Sequence, residues 1–150
     1  MKKVTFTLAA LLFLGNLAGC NLVNVFAPDH ELTDTTWHLT SIGTWSKGSE
    51  DITLHFKPDG SVEGRGKVNS YFGLYEADSG GSLSIHGHGG QPGVGSTRIY
   101  CPDCPKYQDY ILTLAKVESY SIQGSHLTIK GKDHTILKFK AGPAPQAENR

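Results

Sequence analysis

The chain has 150 residues, 38% of them hydrophobic, with 14 Lys and Arg against 14 Asp and Glu and a formal net charge of zero when histidines are neutral. That length supplies one ordinary domain with a real core. The balanced charge argues against a nucleic-acid surface, which normally shows a basic patch, and gives no support to a polybasic membrane patch.

The first twenty residues read as an export signal. Lys2 and Lys3 form a cationic start, and an apolar run is densest from Leu8 to Leu14. A transmembrane helix needs about 20 predominantly apolar residues; this shorter run, so flanked, fits the central region of a signal peptide. It ends in Leu17-Ala18-Gly19-Cys20, which resembles the lipobox of bacterial lipoproteins. That resemblance implies a lipid-modified Cys20, cleavage after Gly19, and an acylated new N-terminus. The plainer readings are an ordinary signal peptide followed by a chance cysteine, or an amphipathic helix of the folded domain. A single acyl chain holds a protein marginally and two hold it stably, so a triacylated Cys20 is a permanent anchor. Asn21 stands where Asp would resemble an inner-membrane retention signal, which points to the outer membrane, facing the periplasm. Removing residues 1–19 leaves a mature chain of 131, with 12 cations against 14 acids.

Residues 20–30 then read as the lipidated cysteine and a tether containing Pro28, 31–140 as the domain, and 141–150 as a polar, disordered tail. Within the domain, Trp37 to Ile42 and Ile52 to Phe56 alternate apolar and polar at the period of a half-buried strand. Lys57-Pro58-Asp59-Gly60 is a turn, with Gly60 free to take positive φ, and Ser61 to Gly64 completes a hairpin. From Asn69 to Tyr75, Tyr71, Gly73 and Tyr75 share one face and Phe72 and Leu74 the other; Leu83 to Ile85 is a short strand, and Gly87 to Gly95 a Gly-rich loop. Tyr107, Tyr110, Ile111, Leu114 and Ala115 carry the stripe of a core-facing helix. Asp103 is its expected N-cap, Pro105 suits its first turn, and its end falls near Lys116 or Val117. Tyr120 to Ile122, His126 to Ile129 and Thr135 to Phe139 close the domain as strands. The expected fold is α+β: a curved antiparallel sheet of about six to eight strands with one packed helix.

The order of these features resembles the META domain, also called the HslJ-like family. It is carried by Trp37-x-Leu39, Leu54-x-Phe56-x-x-Asp59-Gly60, Gly64-x-Gly66, Asn69-x-Tyr71-x-Gly73-x-Tyr75, Thr97 before Cys101, Val117-x-x-Tyr120-x-Ile122-x-Gly124-x-x-Leu127 and Leu137-x-Phe139. The resemblance implies an envelope lipoprotein with a loose link to heat-shock and envelope-stress responses. Family members often carry a cysteine where this chain has Val68. Cys101 matches the family's second cysteine and Cys104 is extra.

With Cys20 taken by lipid, Cys101 and Cys104 remain as a pair, which in an oxidising compartment reads as a disulfide. Cys-x-x-Cys at a helix N-terminus is also how thiol–disulfide oxidoreductases lower a thiol pKa, although the βαβ setting of a thioredoxin-like motif is missing. His86 and His88 with the two cysteines form a weaker zinc-site pattern. Tyr71, Tyr75, Tyr100, Tyr107 and Tyr110 either line a ligand groove or pack the core and edges; His38 and His55 take solvent-facing phase. No catalytic residue, metal site or cofactor is assigned. The expected role is a non-enzymatic binding or envelope-stress module on a lipid anchor, whose partner is an envelope protein or small ligand and not nucleic acid; the alternative is a periplasmic thiol–disulfide oxidoreductase using Cys101 and Cys104.

Overall fold

The computed structural model describes residues 31–46 and 51–142. The expected export segment, Cys20, the expected tether up to residue 30 and the expected tail from residue 143 lie outside the described residues. Among the described residues, ten strands and one α-helix follow in chain order: β1 Thr36–Ile42, β2 Trp45–Ser46, β3 Thr53–Phe56, β4 Ser61–Arg65, β5 Ser70–Ala77, β6 Leu83–His86, β7 Gly95–Ser96, α1 Pro105–Leu114, β8 Val117–Gln123, β9 His126–Gly131 and β10 Ile136–Gly142. The expected α+β fold is what forms. The strand count rises above the expected six to eight because β2 and β7 have two residues each, too few to show a period. β10 also runs two residues into the stretch read as tail, pairing Ala141 with Trp37 and Gly142 with Thr36.

The strands form one antiparallel sheet in the order β6-β5-β4-β3-β1-β10-β9-β8, with β2 on β1 and β7 on β5. The sheet curls until its edges meet at a short seam, where Ser82 bridges Ser119 and the Tyr120 amide donates to Gly81 O at 2.8 Å. The result is close to a barrel. Alternation along the strands turns Trp37, Leu39, Leu54, Phe56, Val62, Leu127, Ile129, Leu137 and Phe139 inward, all buried. Burying each such side chain contributes about 1.5–3 kcal/mol, which fixes the register, since a one-residue slip would turn this set outward. Gly60 takes φ +83° in the β3–β4 turn, and Asp59 Oδ1 accepts from the Ser61 amide at 2.9 Å and its hydroxyl at 2.6 Å.

Helix α1 covers one end of the barrel. Tyr107, Tyr110 and Leu114 are buried as their spacing requires. The Tyr110 ring lies 5.7 Å from that of Tyr71 and 6.3 Å from that of Phe139. The helix ends at Leu114, earlier than expected, and Lys116 then ties to the β9–β10 turn through Asp133 at 3.0 Å. At the opposite end the described chain both enters and leaves: Trp37 Nε1 donates to Leu32 O at 3.1 Å, Thr33 bridges Phe56, and Thr36 pairs with Gly142.

Candidate ligand pocket and the cysteine pair

Cross-strand pairing gathers a pocket on the outside of β1, β3, β4 and β5. Thr36 pairs with His55, His55 with Glu63 and Glu63 with Phe72, while Thr53 pairs with Arg65 and Arg65 with Ser70. Antiparallel partners point to the same face, so two rows of side chains surround a cavity of about 420 Å³ with Gly64 and Tyr71 also in its lining. That is within the size range of small-molecule sites.

Three features of the pocket bear on binding. First, Thr36 Oγ1 and His55 Nε2 are buried atoms without a hydrogen-bond partner among the described residues. Native proteins pair more than about 90% of such groups, and an unpaired one costs about 1–3 kcal/mol. His38 and His55 do take the outward phase, but both are only half exposed, and the pocket closes over the His55 ring nitrogen. Second, the pocket's acid is spoken for. Glu63 accepts from Lys57 Nζ at 2.7 Å, a bond that holds the Lys57 ammonium above its ordinary range. Arg65 has no acidic partner among the described residues and leaves a guanidinium at the rim. Third, Phe72 is 53% exposed on this face, an apolar wall whose ring sits 5.9 Å from that of His88.

Behind the pocket lies a closed tyrosine pair. Tyr71 OH donates to Thr53 O at 2.6 Å, so the 2.6 Å contact with Tyr110 is supplied by the Tyr110 proton. Burial pushes both phenols well above their ordinary range, which keeps them protonated and structural. Gly64 permits this arrangement: a Cβ there would collide with Thr53 O and the Tyr71 hydroxyl. The five tyrosines therefore share no single groove: Tyr71 lines the pocket above, and Tyr100 and Tyr107 line a second hollow beside the cysteines. Tyr107 OH meets Ser96 Oγ at 3.0 Å, Tyr75 OH donates to Lys57 O at 2.9 Å, and Tyr100 is 87% exposed in the loop before the cysteines.

Cys101 and Cys104 are joined as a disulfide with their Cα atoms 5.3 Å apart. The Cys104 amide donates to Cys101 O at 3.2 Å, closing a tight turn. That turn delays the helix, so Cys104 and not Asp103 occupies the N-cap, and no side chain caps it. Asp103 is instead exposed, 3.8 Å from Lys67. Pro105 opens the helix as expected. The helix N-terminus thus faces the buried Cys104, while the more accessible Cys101 lies outside it. This reverses the arrangement in which a helix activates an accessible attacking thiol. Among the described residues no three His, Cys, Asp or Glu side chains converge as metal ligands.

The loop before the cysteines is held by Asn69, which opens the Asn69-x-Tyr71-x-Gly73-x-Tyr75 motif. Buried Asn69 donates through Nδ2 to Ile99 O at 2.9 Å and accepts at Oδ1 from the Ile99 amide at 2.7 Å and from Thr97 Oγ1 at 2.9 Å. Thr97 in turn receives the Ser70 amide at 3.0 Å. The alternation expected from Asn69 to Tyr75 places this residue at the start of a strand; β5 begins one residue later, at Ser70, and nothing in the local sequence marks the loop that Asn69 clamps.

A family model described as the META domain matches residues 30–143. Among solved structures, an NMR structure of a protein from Burkholderia xenovorans is similar at 21% identity and TM-score 0.59, covering 74% of this chain and 83% of that one. The crystal structure of a DUF4847 family protein from Bacteroides vulgatus is similar at 15% identity and TM-score 0.51, covering 77% and 94%. These two likenesses are of fold. Comparison with functionally curated proteins returns no match.

Proposed function

The chain belongs to the META domain family, and from that premise we propose that it is a non-enzymatic binding module, held by an acylated Cys20 at the periplasmic face of the outer membrane. Its ligand is a small molecule with an anionic group and an apolar body, seated in the pocket of β1, β3, β4 and β5. An envelope-stress setting agrees with the family's associations. The observation that carries the binding reading is that Thr36 Oγ1 and His55 Nε2, two buried polar atoms, find no hydrogen-bond partner among the described residues, in a cavity rimmed by an Arg65 with no acidic partner among them. A ligand oxygen or donor satisfies these atoms, the guanidinium meets the anionic group, and Phe72 covers the apolar part.

Backbone amide shifts, followed by NMR during titration, test the site. A medium-chain carboxylate is expected to move the amides of Thr36, His55, Arg65 and Phe72, inorganic phosphate to move Arg65 alone, and the matching uncharged alcohol to act more weakly. Arg65→Met removes the preference for the acid. Failure of all three probes to shift β3 and β4 sinks the pocket reading. Intact-mass analysis of protein recovered from its host tests the anchor: a chain beginning at Cys20 with added acyl mass supports it, and an uncleaved chain with a bare thiol removes it. Thiol–disulfide exchange is the competing role; it requires a reduced Cys101 that reacts faster with an alkylating reagent at neutral pH than a free thiol does.

A further inference from the structure

We infer that the outward face of β1, β10 and β9 is a docking surface for the anionic headgroups of a phospholipid bilayer. Pairing places Lys140 between His38 of β1 and His126 of β9, with Lys138 beside Thr128 and Lys130 beside Ile136. The inward positions of these strands are the core residues Trp37, Leu39, Leu127, Ile129, Leu137 and Phe139, so the cations all lie outside. The outward positions of the three strands hold no acid, and Lys130, Lys138 and Lys140 are exposed and make no ion pair among the described residues. Three lysines with no acid among them thus share one side of a chain of zero net charge, a local patch that composition does not reveal.

The shape of this face points to a planar array of charges. Adjacent strands are about 4.8 Å apart, so three neighbours span about 10 Å and meet a plane together, whereas the full curl of the barrel does not. Lysines standing among threonines and histidines offer many separate donors, which suits repeated phosphates better than one ligand. The chain leads to the same place. It enters β1 at Thr36, opposite Gly142 of β10, and residues 20–30 reach at most about 40 Å when fully extended. This docking rests on the acylated Cys20 of the proposed function, which keeps the face within that distance of headgroups. Lipid holds the domain at the membrane, and the lysines set which side it turns down.

The test is amine labelling of the full, lipidated chain reconstituted into vesicles of phosphatidylcholine alone or mixed with phosphatidylglycerol. Acetylation of Lys130, Lys138 and Lys140 is expected to slow in the phosphatidylglycerol vesicles and recover in high salt, while Lys106 and Lys116 at the helix end label equally in both. Flotation on pure phosphatidylcholine reports the anchor alone, so its failure counts against Cys20 acylation and not against the face. The face is also read without the anchor, in a Cys20→Ser chain that begins at residue 20 and so lacks the apolar run of residues 8–14. There the triple variant K130Q/K138Q/K140Q lowers partition onto phosphatidylglycerol vesicles about fivefold per lysine, on the order of a hundredfold in all, and leaves partition onto phosphatidylcholine unchanged. Equal labelling of the three lysines in both vesicle types, or a triple variant that partitions like its parent, overturns the docking.

Discussion

At Gly64 the chain needs the absence of a side chain, because the Tyr71 hydroxyl and Thr53 O fill the space a Cβ would take. Gly64→Ala is expected to lower stability by about 3 kcal/mol, by overpacking and by breaking the Tyr71 bond, measured by urea denaturation. Tyr71→Phe keeps the ring and removes the hydroxyl, leaving Thr53 O and Tyr110 OH buried without it; the expected cost is about 1–3 kcal/mol. Asp133 illustrates a titrating contact. Hydrogen bonds from Lys116, and then Thr135, lower its pKa from 3.8 to about 2. A depressed carboxylate stabilises the fold above its unfolded pKa, and the stabilisation is lost as pH falls through the folded value. The difference in thermal midpoint between wild type and Asp133→Asn is therefore expected at pH 5, to shrink between pH 4 and 2, and to vanish below that. A difference that persists at the acid limit contradicts the assignment.

Among the elements, the cysteine turn and its loop behave as one unit pinned at two points. The disulfide closes a ring of four residues, so loop-closure entropy gives it about 2 kcal/mol or less. Cys101→Ser with Cys104→Ser is expected to cost that much while leaving the circular-dichroism signature of the sheet intact. Asn69→Ala removes the other pin, and the Ile99 amide is expected to exchange with solvent faster, with β5 amides beyond Gly73 unaffected. What the sequence made legible at this scale follows from period and turn chemistry. Trp37 with Leu39, Leu54 with Phe56 and Leu127 with Ile129 alternate cleanly, and Asp59-Gly60 marks its hairpin. β7 stayed hidden inside a Gly-rich loop because Gly95 and Ser96 have no pattern of their own; Tyr71 and Phe72 recruit them. Asp103 was misplaced as a cap because a covalent turn, invisible to capping preferences, shifts the helix start by one residue.

For the whole molecule, register decides what composition conceals. Thr36, His55, Arg65 and Phe72 are ordinary alternating positions on four separate strands, and only the pairing of those strands makes them a pocket. The lysine face is hidden the same way: Lys138 and Lys140 are about a hundred residues from His38, and equal numbers of acids elsewhere cancel them in the sum. The overall architecture also locates its weakest join. β6 and β8 meet through an isolated bridge, in place of a full ladder, so their facing amides are expected to exchange before those of β1 and β10, as read by hydrogen–deuterium exchange. Uniform protection around the ring would contradict an open seam.

The pairing of Thr36 with Gly142 has a mechanical result. Because β1 begins beside the point where β10 ends, tension applied between Thr36 and Gly142 strains the β1–β10 ladder one rung at a time, like a zipper opened from its end. Strands loaded along their length share the pull across many bonds; these do not. The domain is expected to part at small force in a single-molecule stretching experiment, a build suited to a passenger on a leash and not to a strut between two layers.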